Sequence, residues 1–103
     1  MYEHQTTVRV RYAETDPMNV VYYGNYARLY EIARVETLRS LAVSYKSLED
    51  NGVALPVAEN YTKFLAPGFY DDELTIICHV DSLPTRKIVF TYQIKNEAGL
   101  LIN

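Results

Sequence analysis

An α+β fold is predicted by two changes of period along the chain. A short alternating run at the front gives way to one long stretch at helical spacing, and further alternating runs separated by turn residues follow it. No internal repeat, low-complexity segment or interdomain linker breaks the pattern, so residues 1–103 read as a single domain.

Thr6 to Tyr12 alternates, with Val8, Val10 and Tyr12 on one face and Thr7, Arg9 and Arg11 on the other, which predicts a half-buried first strand. From Asn25 to Ser44 the period becomes helical. Tyr26, Leu29, Tyr30, Ala33, Thr37, Ser40 and Leu41 share one face, and no proline or glycine interrupts them. The middle of that face is small (Ala33, Thr37, Ser40), which lets a helix lie close on a sheet. Ile32, Val35 and Leu38 on other sides predict that the helix is covered more widely than a surface helix. Gly52 closes the polar connection that follows.

Val53 to Leu65 reads as a strand with an irregular centre and Ala66-Pro67-Gly68 as a turn. Leu74 to Leu83 reads as a strand with Leu74, Ile76, Cys78 and Val80 on one face. Ile88 to Ile94 alternates again, so residues 82–87 form the loop of an antiparallel hairpin. Asn96 to Gly99 is another turn, and Leu100-Leu101-Ile102 begins a further strand that the sequence does not complete.

Composition narrows the function classes. Hydrophobic residues make up 49% of the 103 and charged residues 22%, a globular balance. A domain of this size hides little of its surface unaided, and association into an oligomer is the natural remedy. Net charge is −3, and the ten basic residues are scattered, which argues against a nucleic-acid protein. Cys78 is the only cysteine, so no intrachain disulfide forms, and a reducing cytoplasm is the simplest compartment. No apolar stretch approaches the roughly 18 residues of a membrane span, and the N-terminus lacks a signal-peptide layout. His4, placed before the first strand, and His79 have no companions at metal-ligand spacing, so no metal site is expected.

The run from Tyr12 to Tyr26 carries the chemistry. It delivers Asp16 from the end of a strand to the start of a helix. Pro17 disfavours α geometry at Asp16 and keeps it extended, while Gly24-Asn25 permits a sharp entry into the helix. The first N–H groups of a helix have no intrahelical partner and hold an anion, or an oxygen becoming one. Taken alone, an Asp-Pro pair is more often a cap or turn.

The residues Arg11-Tyr12-Ala13-Glu14-Thr15-Asp16, then Val20-Val21-Tyr22-Tyr23-Gly24-Asn25-Tyr26, then Glu31-Ile32-Ala33-Arg34 form a motif. Phe64-Leu65-Ala66-Pro67 and Tyr70-Asp71-Asp72-Glu73-Leu74 extend it. It resembles that of the hotdog-fold acyl-CoA thioesterases of the 4-hydroxybenzoyl-CoA thioesterase type, including the Tol-Pal-associated subgroup. The resemblance implies an antiparallel sheet wrapped around one long helix, and hydrolysis of acyl-CoA thioesters without a cofactor. It implies Asp16 as nucleophile or general base and the main-chain N–H of Tyr23 as the group that polarises the thioester carbonyl.

Tyr22, Gly24, Asn25 and Tyr26 are the expected substrate-binding residues beside the catalytic pair, with Tyr30 a further candidate for the acyl pocket. Lys63, Arg86 and Lys87 are the candidates for the phosphates of coenzyme A. A homodimer or homotetramer with pockets between subunits is the expected assembly. The alternative is a catalytically weak hotdog module that binds acyl-CoA or a partner protein. A hotdog dehydratase would need a histidine near the helix entry, and none is present.

Glu31 is the rival catalytic acid, because a second branch of hotdog thioesterases uses a helical glutamate; its plainer reading is a surface pair with Arg28 or Arg34. Glu14 reads as a solvated or loop-anchoring residue. The chain departs from the family pattern at three points. Asn19 stands in place of the usual glycine, so the loop is either stiffer or holds Asn in the left-handed conformation. Tyr23 stands where many relatives carry histidine. The chain stops at Asn103, early in what resembles the last strand, so that either the form is truncated or another segment or subunit fills the gap.

Overall fold

The computed structural model describes residues 2–41, 50, 52, 60–80 and 89–103. Among the described residues, three strands, β1 (Tyr2–Arg9), β2 (Glu73–Val80) and β3 (Phe90–Lys95), form an antiparallel sheet in the order β1-β2-β3, and the long helix α1 (Tyr26–Ser40) packs on it. This is the α+β hotdog arrangement, with the sheet not fully closed. Among the described residues, no helix is long and apolar enough to cross a membrane.

β1 starts earlier than the alternation predicted. It pairs with β2 from Tyr2↔Val80 to Arg9↔Glu73, so His4 lies inside the strand rather than before it. Tyr12, predicted to point inward with Val8 and Val10, is 73% exposed. The reason is local: the strand ends at Arg9, and the backbone winds into a 3₁₀ turn over Tyr12–Glu14. Val10 stays buried because its N–H and C=O are bonded to Asp72 and Asp71.

Five of the seven stripe residues of α1 (Tyr26, Leu29, Tyr30, Ala33 and Thr37) are buried, as the helical period requires. Ser40 and Leu41 are exposed, since α1 ends at Ser40. Ile32, Val35 and Leu38 are half-buried, in keeping with a helix covered on more than one side. Ala33 is fully buried where helix and sheet meet, and the Thr37 hydroxyl is satisfied by the Ala33 carbonyl at 2.7 Å. The facing side of the core is Val10, Leu74, Ile76, Cys78, Ile94 and Ile102.

The predicted strand over Val53 to Leu65 is absent from residues 60–65, which run irregularly, with the Leu65 N–H on the Ile102 carbonyl at 3.1 Å. Residues 53–59 lie outside the described residues, as do residues 81–88 with the hairpin loop. Gly99, at φ 82°, closes the predicted turn after β3. Beyond it Ile102 donates to the Ile94 carbonyl at 2.8 Å and Leu101 bridges to Lys95, so the last segment returns along β3 through a single bridge rather than as the further strand expected over residues 100–102.

Burial pushes the Cys78 thiol above its usual 9.0, against smaller opposing pulls from the Thr37 hydroxyl and Arg34. The Tyr26 phenol is raised above 10.0 by burial first and by Tyr30 second. The folded chain thus holds both protons more tightly than the unfolded chain does. Stability is therefore retained below the unfolded thiol value and falls as pH rises past it and then past the phenol value. Urea midpoints measured across pH 7 to 11 are expected to be flat at first and then decline, with the onset moving to higher pH in Cys78→Ala; a midpoint that rises with alkali would contradict this reading.

Candidate active site

The motif loop is tied down at every turn. The Thr15↔Val21 and Val20↔Phe69 bridges hold its two limbs, and the Val21 N–H donates to the Gly68 carbonyl at 2.8 Å. Between the limbs, Asp16 donates its N–H to the Val20 carbonyl and accepts the Asn19 N–H on its own carbonyl, both at 2.9 Å. Asn19 takes φ 64°, so the left-handed alternative is the one adopted where glycine is usual. The loop is therefore a tight turn, closed by backbone bonds at Asp16, Asn19 and Val21, with Asp16 at its entrance.

The Asp16 side chain is half-buried, and its Oδ1 accepts the Met18 N–H at 2.9 Å. That bond fixes the carboxylate by an Asx turn and leaves Oδ2 without a protein partner among the described residues.

The helix begins in two steps. A 3₁₀ turn over Tyr23–Asn25 leads directly into α1, and Tyr22 precedes it in an extended conformation (φ −61°, ψ 133°). Tyr22 donates to Glu14 and Asn25 to Tyr22, whereas no described carbonyl accepts the N–H of Tyr23 or Gly24. These are the orphan donors expected at a helix start, and they carry its positive end.

Asn25 does not cap the helix with its side chain; Nδ2 donates instead to the Glu14 carbonyl at 2.9 Å. Nor does Gly24 adopt a left-handed conformation. A Cβ there would meet the ring of Tyr22, at 2.7 Å from Cε2, and would displace that exposed side chain.

Beside this entry lies an apolar cleft of about 320 Å³, with Val20, Val21, Tyr23 and Tyr26 on one side and Phe64, Leu65, Ala66 and Pro67 on the other. Val21 and Tyr26 are buried at its base, while Tyr23, Phe64 and Leu65 are exposed at its rim. The Tyr26 ring meets Phe64 edge-on at 5.0 Å. Such a cleft suits an apolar acyl group whose carbonyl end reaches the helix mouth.

Of the predicted site residues, Tyr23 and Tyr26 line the cleft, and Asp16 does not. Tyr22 lies outside it with its ring against Tyr23, at 4.6 Å between centroids. Tyr30 is core, stacked on Tyr92 at 4.4 Å. Lys63 is exposed next to Phe64, while Arg86 and Lys87 lie outside the described residues. Glu31 is exposed; Arg28, one of its two predicted partners, is paired with Glu14, and Arg34 donates to Tyr92. Sequence reasoning missed the wall formed by Phe64 to Pro67, whose only signal was its place in the motif. It also left the weight of Glu14 undecided.

Comparison with known proteins places this geometry in context. The thioesterase superfamily matches residues 18–103. The chain is similar to the acyl-CoA thioester hydrolase YbgC of Escherichia coli O157:H7, 38% identical over 96 residues that span 93% of this chain and 72% of that protein. It is similar in structure to a DHNA-CoA thioesterase from Staphylococcus aureus, with a TM-score of 0.94 and 34% identity over 99% of this chain and 68% of that one. A hypothetical protein from Thermus thermophilus superposes with a TM-score of 0.93 and 36% identity, covering 98% of this chain and 76% of that one.

Proposed function

This chain belongs to the thioesterase superfamily and has the hotdog fold of its acyl-CoA thioesterases, and from that premise we propose that it hydrolyses acyl-CoA thioesters to a free acid and coenzyme A. The thioester carbonyl oxygen sits at the mouth of α1 and is polarised by the Tyr23 N–H, with the acyl group in the cleft below. Asp16 either attacks the carbonyl carbon, expelling the thiolate and forming a mixed anhydride that water cleaves, or takes a proton from a water that attacks directly.

One observation carries this reading: backbone donors with no acceptor among the described residues at the helix entry, beside an apolar cleft and at the end of a bonded loop that holds a carboxylate. A donor of this kind stabilises charge only as it develops, which is why it accelerates the reaction rather than merely binding substrate.

Within the family, the 4-hydroxybenzoyl-CoA thioesterase type with its Tol-Pal-associated subgroup is the proposed assignment, supported by the motif from Arg11 to Arg34. A homodimer or homotetramer is the proposed working form, supported by large apolar side chains left exposed at Tyr12, Met18, Phe69 and Tyr70. Lys63, with Arg86 and Lys87, is the proposed contact for the coenzyme A phosphates, and Tyr22, Gly24 and Asn25 complete the binding entry. A reducing cytoplasm is the proposed compartment, supported by a sequence with a single cysteine and hence no intrachain disulfide.

The test is free-thiol release from aromatic, short-chain and long-chain acyl-CoAs. Turnover of at least one class above the uncatalysed rate is the expected result. Tight acyl-CoA binding with no thiol release would replace this reading with that of a binding module.

A further inference from the structure

Glu14 is 4% exposed, and an acidic side chain is almost never so buried without a partner. Each of its polar groups is engaged. Oε1 accepts the Arg11 N–H at 2.8 Å, and Oε2 accepts Arg28 Nη1 at 3.1 Å. Its main-chain carbonyl accepts the Tyr22 N–H and Asn25 Nδ2, both at 2.9 Å.

These bonds have a direction. Arg11 opens the loop, Tyr22 and Asn25 flank the Tyr23 and Gly24 N–H groups, and Arg28 lies in the first turn of α1. Glu14 itself stands two residues before Asp16. A single residue therefore joins the strand end that carries the carboxylate to the helix start that carries the donors, from both its side chain and its backbone.

We infer that Glu14 is a positioning residue: its carboxylate, held by Arg28, sets the separation and angle between Asp16 and the Tyr23 amide. The inference rests on the function proposed above. Its chemistry follows from burial. With Arg28 or the carboxylate charge removed, the loop loses the strong charge-assisted bond to the helix, while the weaker Tyr22 and Asn25 bonds persist. The chain stays folded, but the two reacting groups drift by a fraction of an ångström to an ångström. Misplacement on that scale costs up to about a hundredfold in rate.

The experiment compares Glu14→Gln, Arg28→Met and Arg28→Lys by kcat, KM and thermal midpoint on the best acyl-CoA of the panel. Asp16→Asn serves as a catalytic reference, and Glu36→Gln, which removes the surface pair with Arg39, as a control. Glutamine keeps the shape and an acceptor for the Arg11 N–H. Expected are a fall in kcat of about ten- to a hundredfold in Glu14→Gln and Arg28→Met with KM within about threefold, substantial recovery in Arg28→Lys, and no change in Glu36→Gln.

Arg28→Lys keeps a cation beside the buried Glu14 carboxylate at a position 55% exposed, so it folds even where Glu14→Gln, or Arg28→Met which leaves that carboxylate unpaired, does not. A lowered thermal midpoint with unchanged kcat in the Arg28 variants would make the pair purely structural and overturn the inference. Active wild type, inactive Asp16→Asn and unaffected Glu14 and Arg28 variants would overturn the inference alone. Inactive wild type would overturn the proposed function, and this inference with it.

Discussion

Asp16→Asn is expected to lower kcat/KM for thioester hydrolysis by at least about a hundredfold, close to 2.7 kcal/mol of transition-state stabilisation, with almost no change in folding stability. The two halves of this expectation come from different atoms. Asparagine retains an oxygen where Asp16 Oδ1 accepts the Met18 N–H, so the turn from Asp16 to Asn19 persists. Asp16 forms no ion pair among the described residues, so loss of its charge leaves no cation stranded.

What disappears is the anionic oxygen that attacks the carbonyl or accepts a proton from water. Rates are therefore to be compared on protein matched for folded fraction. Intact mass under single-turnover conditions then separates the two roles, since an acyl adduct on wild type that is missing from the variant marks a nucleophile. Equal rates for wild type and variant would remove Asp16 from the mechanism.

The parts of this fold that were legible in the sequence are those fixed by period. The stripe of α1 from Tyr26 to Thr37 and the Leu74/Ile76/Cys78 row are buried as read, because helical and alternating spacing leave one face for the core. Where a strand ends is set by pairing, not period. Tyr12 continues the alternation of Val8 and Val10, yet it leaves the sheet because its chain turns back toward α1 through Glu14.

The same limit explains Glu14. A single glutamate in a loop has no periodic signature, and its burial exists only because Arg28, fourteen residues on, folds back over it. The cleft wall from Phe64 to Pro67 is likewise tertiary. Its apolar residues read as part of a strand, and they line a cleft only because Val20 and Phe69 bridge the two loops.

Tyr23→Pro isolates the backbone donor, which side-chain substitution cannot reach. Proline removes one N–H and fixes φ near −65°, a change tolerated at the first position of a helix. Tyr23 opens the 3₁₀ turn, its N–H bonds to no described carbonyl, and Tyr22 before it already has the extended geometry (φ −61°, ψ 133°) that a residue preceding proline prefers. The substitution therefore deletes a donor without breaking a backbone bond among the described residues. It also deletes a ring that is 66% exposed and packs on Tyr22, so the proper reference is Tyr23→Ala rather than wild type. Relative to that reference, kcat is expected to fall by about 10²–10³, the usual cost of losing one oxyanion donor, while thermal midpoints of the two variants stay close. The neighbouring Gly24 N–H likewise bonds to no described carbonyl, and if the oxygen is shared between the two donors the loss lies at the lower end of that range. Equal kcat in Tyr23→Pro and Tyr23→Ala would show that the carbonyl is polarised elsewhere.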